Sequence, residues 1–239
     1  SIIREKVVAV SVTGRVCTIE GYEKVGIVKL TEFNITTPTQ FEEAVDALLA
    51  EGCEKFVFDV RYNPGGDLNS IKAVLAYFLN NGDTVIRVAD RSGNETVQKI
   101  APVRYAGDYA PCSIEEADIG KYRELDFAVL TNGSTASAAE LFTSALMDYK
   151  LSITVGTTTY GKGTMQTTYP LEQYGYGGAL KQLAIGCASS FGKAYIHGAG
   201  DPAKLWTADH DSFLMSMADA AKSVVDYFKG EAVYVNVMK

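Results

Sequence analysis

Phe56-Val-Phe-Asp-Val60 is apolar at four of five positions and shows no polar alternation. A strand with one wet face would alternate, so this run reads as a strand covered on both faces, as in parallel sheets flanked by helices. It leads into Asn63-Pro-Gly-Gly66, a turn composition, and then into a helix begun by Asp67. Leu68, Ile71, Leu75, Phe78 and Leu79 face inward at helical spacing, and Asn80-Asn-Gly82 closes that helix. The pattern then recurs. Phe127-Ala-Val-Leu130 is a second buried run, Ala138, Leu141, Phe142, Ala145, Leu146 and Tyr149 follow at helical spacing, and Ile153-Thr-Val-Gly156 is a third strand. Strand, helix and strand joined in this way imply parallel neighbours, and the fold class expected is an α/β layered core of repeated strand-helix units.

The flanking segments add smaller pieces. Val7 to Val10, Arg15 to Ile19 and Val25 to Leu30 read as strands separated by Gly14 and Gly21-Tyr22. Thr37 is expected to cap a helix that has Pro38 at its first position and Gln40 three residues after the cap. Phe41, Ala44, Val45, Leu48 and Leu49 would face the core, and Gly52 would stop it. Val85 to Val88 and Glu95 to Ile100 form a hairpin pattern. Residues 101–123 are weakly patterned and read as a surface excursion with no chemistry. Beyond Gln166, Leu183, Ile185 and Cys187 alternate onto one strand face, and a helix from about Asp211 carries Leu214, Met217, Ala221, Val224, Val225 and Phe228. A chain of 239 residues can bury one large core, and the expectation is a single domain over residues 1–239.

Charge and composition exclude several function classes. A net charge of −7 without a basic stripe argues against nucleic acid and anionic membrane surfaces as partners. No run of eighteen apolar residues can span a bilayer, and no basic-then-apolar leader opens the chain. Cys17, Cys53, Cys112 and Cys187 are far apart and form no C-x-x-C, so neither a zinc ribbon nor a redox pair is indicated. Only His197 and His210 are available, which is poor material for a metal site or a Ser-His-Asp triad. No metal or cofactor is expected, and a serine nucleophile in this chain would look to lysine for its base.

Such a serine and such a lysine occur in two short stretches. Gly133-Ser-Thr-Ala-Ser137-Ala-Ala-Glu140 sets Ser137 between small residues at the start of a helix. The same S-x-x-E spacing is a capping box, in which Ser137 only caps the helix and Glu140 returns the hydrogen bond. Tyr160-Gly-Lys162-Gly-Thr-Met-Gln166 holds Lys162 between two glycines, where backbone can pack closely; an exposed turn with a solvated lysine is the plainer alternative. A serine hydroxyl is a weak nucleophile until a base takes its proton, and a lysine can do so only as the neutral amine. Charge on the attacked carbonyl oxygen needs preorganised donors, and the Ala138 N–H, just after Ser137 at a helix N-terminus, is one.

Taken together, Gly133 to Glu140, Ser144-Ala-Leu-Met-Asp148, Val155-Gly156 and Tyr160 to Gln166 resemble the active-site region of the C-terminal processing peptidases, also called tail-specific proteases. Phe56 to Gly66 resembles that family's strand and Asp-x-Arg-x-Asn-Pro-Gly-Gly loop. The resemblance runs from about residue 21 to 190 and fades in the last fifty residues, where Gly198-Ala-Gly-Asp-Pro202 only faintly echoes the family pattern. It implies a core similar to the ClpP/crotonase fold, and a catalytic Ser137, Lys162 and Gln166, with Gln166 orienting the amine. It also implies an oxyanion hole completed by Gly65 or Gly66, and acyl-enzyme cleavage of an extended peptide or a flexible protein C-terminal tail. Members often carry a PDZ domain just before this point, and none is visible here. By the same resemblance the protein would work outside the cytoplasm. Two other readings stay open: an inactive peptide-binding or scaffold protein of the same fold, and a crotonase-type acyl-CoA enzyme, in which Ser137 and Lys162 would have no role.

Overall fold

The computed structural model describes residues 8–19, 21–89, 94–104, 113–163, 165–170, 179–184, 187–188 and 194–195, with side chains described as far as Met165. The chain folds as mixed α/β. Strands β1 (Val12–Ile19) and β2 (Tyr22–Leu30) form an antiparallel hairpin, and helix α1 (Thr37–Ala50) leads to β3 (Lys55–Asp59). After α2 (Leu68–Ala76) come the antiparallel pair β4 (Thr84–Ala89) and β5 (Glu95–Lys99), and the short ribbon β6 (Val103–Arg104) with β7 (Ser113–Ile114). Then follow β8 (Asp126–Thr131), α3 (Ala138–Asp148) and β9 (Ile153–Gly156). Two further pairs end the described part: β10 (Met165–Pro170) with β11 (Ala179–Ala184), and β12 (Cys187–Ala188) with β13 (Ala194–Tyr195).

The central sheet has the order β1-β2-β3-β8-β9, and β2, β3, β8 and β9 run parallel. The expected strand-helix repeat is therefore present twice. β12 adds antiparallel to β4, which makes a second sheet of order β13-β12-β4-β5. One face of the central sheet meets α1, α2 and α3 through a cluster of fully buried rings. Phe58 of β3 lies 4.9 Å from Phe127 of β8, 5.3 Å from Phe41 of α1 and 5.5 Å from Phe78 just after α2. The edge-to-face pairs with Phe127 and Phe78 add roughly 1 kcal/mol each beyond their buried area. The opposite face carries the smaller set Val25, Ile27, Val57, Ala128, Leu130 and Val155. Burial on both faces is what the unbroken apolar run of β3 required.

Several local expectations differ from what is found. Residues 8–10 are not a strand, and Val8 and Val10 are 50% and 70% exposed. β1 instead starts at Val12 and runs straight through Gly14, because Gln40 of α1 accepts from the Ser11 and Val12 N–H groups and fixes where pairing begins. Thr37 is not the cap but lies within α1; its hydroxyl accepts from Asn34 N–H and hydrogen-bonds Ser11, while Thr36 holds the cap position. Leu49 points outward, since Leu48 already fills the core side of that turn. The helix after Asp67 ends at Ala76 and continues to Leu79 as turns that still bury Tyr77, Phe78 and Leu79. The 101–123 segment is not wholly superficial either. Tyr122 is 1% exposed in the main core, and its hydroxyl donates to Asp46 Oδ1 at 2.8 Å. The helix expected from about Asp211, His197, His210 and the Gly198-Ala-Gly-Asp-Pro202 stretch lie outside the described residues.

Candidate active site

Three loops leave the carboxyl ends of the parallel strands and are tied to one another: residues 60–66 after β3, 132–137 after β8, and 157–163 after β9. Thr135 Oγ1 donates to the Val60 carbonyl at 2.9 Å, and Ala136 N–H donates to the Asn63 carbonyl at 2.9 Å. Asn132 Oδ1 accepts from the Tyr62 N–H at 3.0 Å, and Tyr160 N–H donates to the Thr135 carbonyl at 2.9 Å. Asn63, completely buried, donates to the Leu30 carbonyl and accepts from the Gly65 N–H at 2.8 Å. Such paired backbone groups keep loops rigid enough to position chemistry.

Ser137 stands at the head of α3 with φ 56° and ψ −118°. An ordinary N-cap has extended backbone, whereas a positive φ on a non-glycine residue marks strain of about 1–3 kcal/mol that the surroundings must enforce. A sharp strand-to-helix turn is also how the nucleophilic serine of α/β-hydrolases is presented. Both halves of the expected capping box are present: the Ser137 side chain faces the Glu140 backbone N–H, and the Ser137 N–H donates to Glu140 Oε2 at 2.7 Å.

Glu140 does far more than close a box. It is 4% exposed, and its Oε2 also accepts from the Lys162 N–H at 2.8 Å. Its Oε1 accepts from the Gly161 N–H at 2.5 Å and from Thr159 Oγ1 at 2.7 Å. Four donors saturate a carboxylate. Ser137 and Lys162, remote in sequence, therefore donate through their backbones to one and the same oxygen atom. The sequence offered Glu140 only as a capping partner, and its signal was the S-x-x-E spacing already noted. Lys162 sits at the centre of a tight turn in which Gly163 N–H donates to the Gly161 carbonyl at 3.1 Å, and it is half-buried, neither fully enclosed nor fully solvated. It precedes β10, the strand that carries Gln166. The Gln166 backbone pairs with Leu183 in β10–β11, and its side chain lies outside the described part.

The two candidate glycines differ. Gly65 has φ +99°, and a Cβ there would fall 2.7 Å from Ser137 Cβ and 2.8 Å from Ala138 N, so the loop presses against the head of α3. Its N–H is already given to Asn63. Around Gly66, Phe33 N–H donates to the Gly65 carbonyl, and Asp67 N–H donates to the Phe33 carbonyl. Phe33 thus bonds the residues on either side, and in this parallel bridge the Gly66 N–H is turned away from it. Neither the Gly66 nor the Ala138 N–H has an acceptor among the described residues. At the same loop, Arg61 Nε and Nη2 reach the buried Asp59 carboxylate at 2.9 and 2.7 Å, and these hydrogen bonds hold the guanidinium above its ordinary range. No group of three or more metal-ligating side chains occurs among the described residues.

The chain belongs to peptidase family S41, whose model matches residues 24–200. It is 32% identical over 177 residues to a probable CtpA-like serine protease of Staphylococcus aureus strain N315, covering 74% of this chain and 32% of that protein. It is 28% identical over 176 residues to the carboxy-terminal processing protease CtpA of Bacillus subtilis strain 168, covering 74% and 33%. The chain thus spans about a third of the length of these curated relatives. Among solved structures, a photosystem II D1 C-terminal processing protease superposes with a TM-score of 0.60 at 25% identity, over 81% of this chain and 47% of the other. A putative S41 protease from Bacteroides fragilis NCTC 9343 shares the fold, with a TM-score of 0.63 at 16% identity over 96% and 60%.

Proposed function

We propose that the chain is the catalytic part of a serine endopeptidase that cleaves extended peptides or protein C-terminal tails through an acyl-enzyme. The observation that carries this reading is the shared Glu140 oxygen, which keeps the head of α3 and the Lys162 turn together. In the reaction, Ser137 Oγ attacks the scissile carbonyl carbon as neutral Lys162 takes its proton. The ammonium then returns that proton to the leaving amine nitrogen, the C–N bond breaks, and the acyl ester remains on Ser137. Water attacks the ester next and gives a proton to Lys162, which passes it to Ser137 Oγ as the acyl C–O bond breaks, so that the acid product leaves and the serine hydroxyl and neutral amine are restored. Gln166 is assigned to orient the amine. Ala138 and Gly66 are assigned as the oxyanion donors, Gly66 in preference to Gly65 because the Gly65 N–H is already committed to Asn63. The chain acts as one domain and needs no cofactor in this scheme. By the family resemblance it would act outside the cytoplasm; no described helix is long and apolar enough to cross a membrane.

Incubation with an unstructured peptide, read by mass spectrometry, tests this. Cleavage by the intact chain that disappears in Ser137→Ala is the result expected. Equal cleavage by both proteins would exclude Ser137 as nucleophile, and no cleavage by either would favour the inactive scaffold.

A further inference from the structure

A cavity of about 510 Å³ opens on the smaller apolar face of the central sheet, beside the candidate site. Thr13 and Arg15 of β1, Lys29 of β2, Asp59 at the end of β3, and Arg61 and Tyr62 of the following loop line it. Register explains the grouping, because Thr13 pairs with Lys29 and Lys29 pairs with Asp59, which puts these side chains on one face. Three cations therefore meet one carboxylate, in a chain whose overall charge is −7. That carboxylate is already held by Arg61. Arg15 and Lys29, both exposed, make no ion pair or side-chain hydrogen bond among the described residues, so within that set the cavity lining carries an excess of positive charge.

Its position matters as much as its charge. Lys29 and Asp59 are at the carboxyl ends of parallel strands, the edge from which the Ser137 loop also leaves. Tyr62, 65% exposed, precedes Gly65 by three residues, which bounds the distance between them to about 10 Å. Gly65 in turn packs against Ser137. An extended peptide attacked at Ser137 would reach this cavity within about four residues of the scissile bond.

We propose that this cavity is a subsite for a carboxylate of the peptide substrate, supplied either by a free C-terminus or by an Asp or Glu side chain. The proposal rests on the peptidase reading above. Arg15 and Lys29 are the determinants, Tyr62 forms the wall facing the catalytic loop, and Asp59 fixes Arg61 so that the guanidinium is presented in one orientation.

Three fluorescein-labelled decapeptides test it: one with a free C-terminal carboxylate and no acidic side chain, its C-terminal amide, and that amide carrying one glutamate. Binding is read by anisotropy on the Ser137→Ala protein, and cleavage on the intact chain, at low and high salt. At least one carboxylate-bearing peptide should bind roughly fivefold or more tightly than the neutral amide, with the advantage shrinking in high salt. Whichever of the two carries the preference identifies the source of the carboxylate. Adding Arg15→Gln and Lys29→Gln should erase the preference while leaving binding of the neutral amide in place, which also shows that the variant is folded; Arg15→Glu with Lys29→Glu should reverse it. Equal binding of all three peptides, or a preference that survives the glutamine variant, overturns the subsite. Cleavage without preference overturns the subsite alone, preferential binding without cleavage by the intact chain overturns the peptidase reading alone, and no binding of any peptide overturns both.

Discussion

Ser137 holds a backbone conformation that an L-residue enters only when its neighbours enforce it, and the Glu140 carboxylate beneath it is one of those neighbours. Alanine at 137 tolerates that backbone as poorly as serine does and keeps the N–H bond to Glu140. Ser137→Ala should therefore shift the thermal midpoint by less than about 3 °C while lowering peptide hydrolysis by roughly a thousandfold or more. A large loss of stability with little kinetic loss would instead mean that the hydroxyl is only a cap. Glu140→Gln replaces one acceptor oxygen by a donor and strands two of the four buried donors. It should cost about 2–4 kcal/mol in urea unfolding and lower kcat as well, since the Lys162 turn loses its anchor. Unchanged stability would show that the four bonds at Glu140 are not strong. Within the assigned machinery, Gln166→Ala should lower kcat less than Lys162→Ala does, because orienting a base matters less than supplying one. Equal losses in steady-state assays would give Gln166 a structural role.

The elements were legible in the sequence wherever periodicity was strong. β3, β8 and β9 and helices α2 and α3 follow from apolar runs and helical spacing, and parallel pairing follows from their order. The errors came where a polar side chain, not periodicity, decides the outcome. Gln40 sets the start of β1, and Tyr122 enters the core because its hydroxyl can reach Asp46. No spacing rule announces either. The glycines of the 63–66 loop were visible as a turn, but which one has an N–H without an acceptor among the described residues depended on Asn63 and on the Phe33 bridge. Gly66→Ala would put a Cβ 1.9 Å from the Phe33 carbonyl oxygen, so it should destabilise the fold by about 3 kcal/mol or more in chemical denaturation. A stable Gly66→Ala protein would mean that Phe33 and this loop are not in contact. Tyr122 gives a prediction in pH. Burial first, and the hydrogen bond to Asp46 second, raise its phenol above the ordinary range. The unfolded chain gives up that proton near pH 10 while the folded chain keeps it, so this contribution is complete below about pH 10 and is lost as pH rises beyond it. Tyr122→Phe should lose about 1–2 kcal/mol at pH 8 and show a flatter decline in urea midpoint between pH 9 and about 11, with Tyr149 and Cys53, both also raised by burial, contributing to the slope that remains. An unchanged decline would place the alkaline sensitivity elsewhere.

Across the whole molecule, a mixed sheet brings three loops to one edge, a buried carboxylate joins two of them, and a cationic cavity lies on the sheet face opposite the helices. The chain belongs to family S41 and is similar to CtpA-like proteases. Treatment with a fluorophosphonate, read by intact mass and peptide mapping, tests Ser137 as nucleophile and Lys162 as its base together. A single adduct on Ser137, none in Ser137→Ala, and labelling slowed at least tenfold in Lys162→Met are expected. An unlabelled native chain, or an adduct that forms equally fast without Lys162, would contradict that assignment.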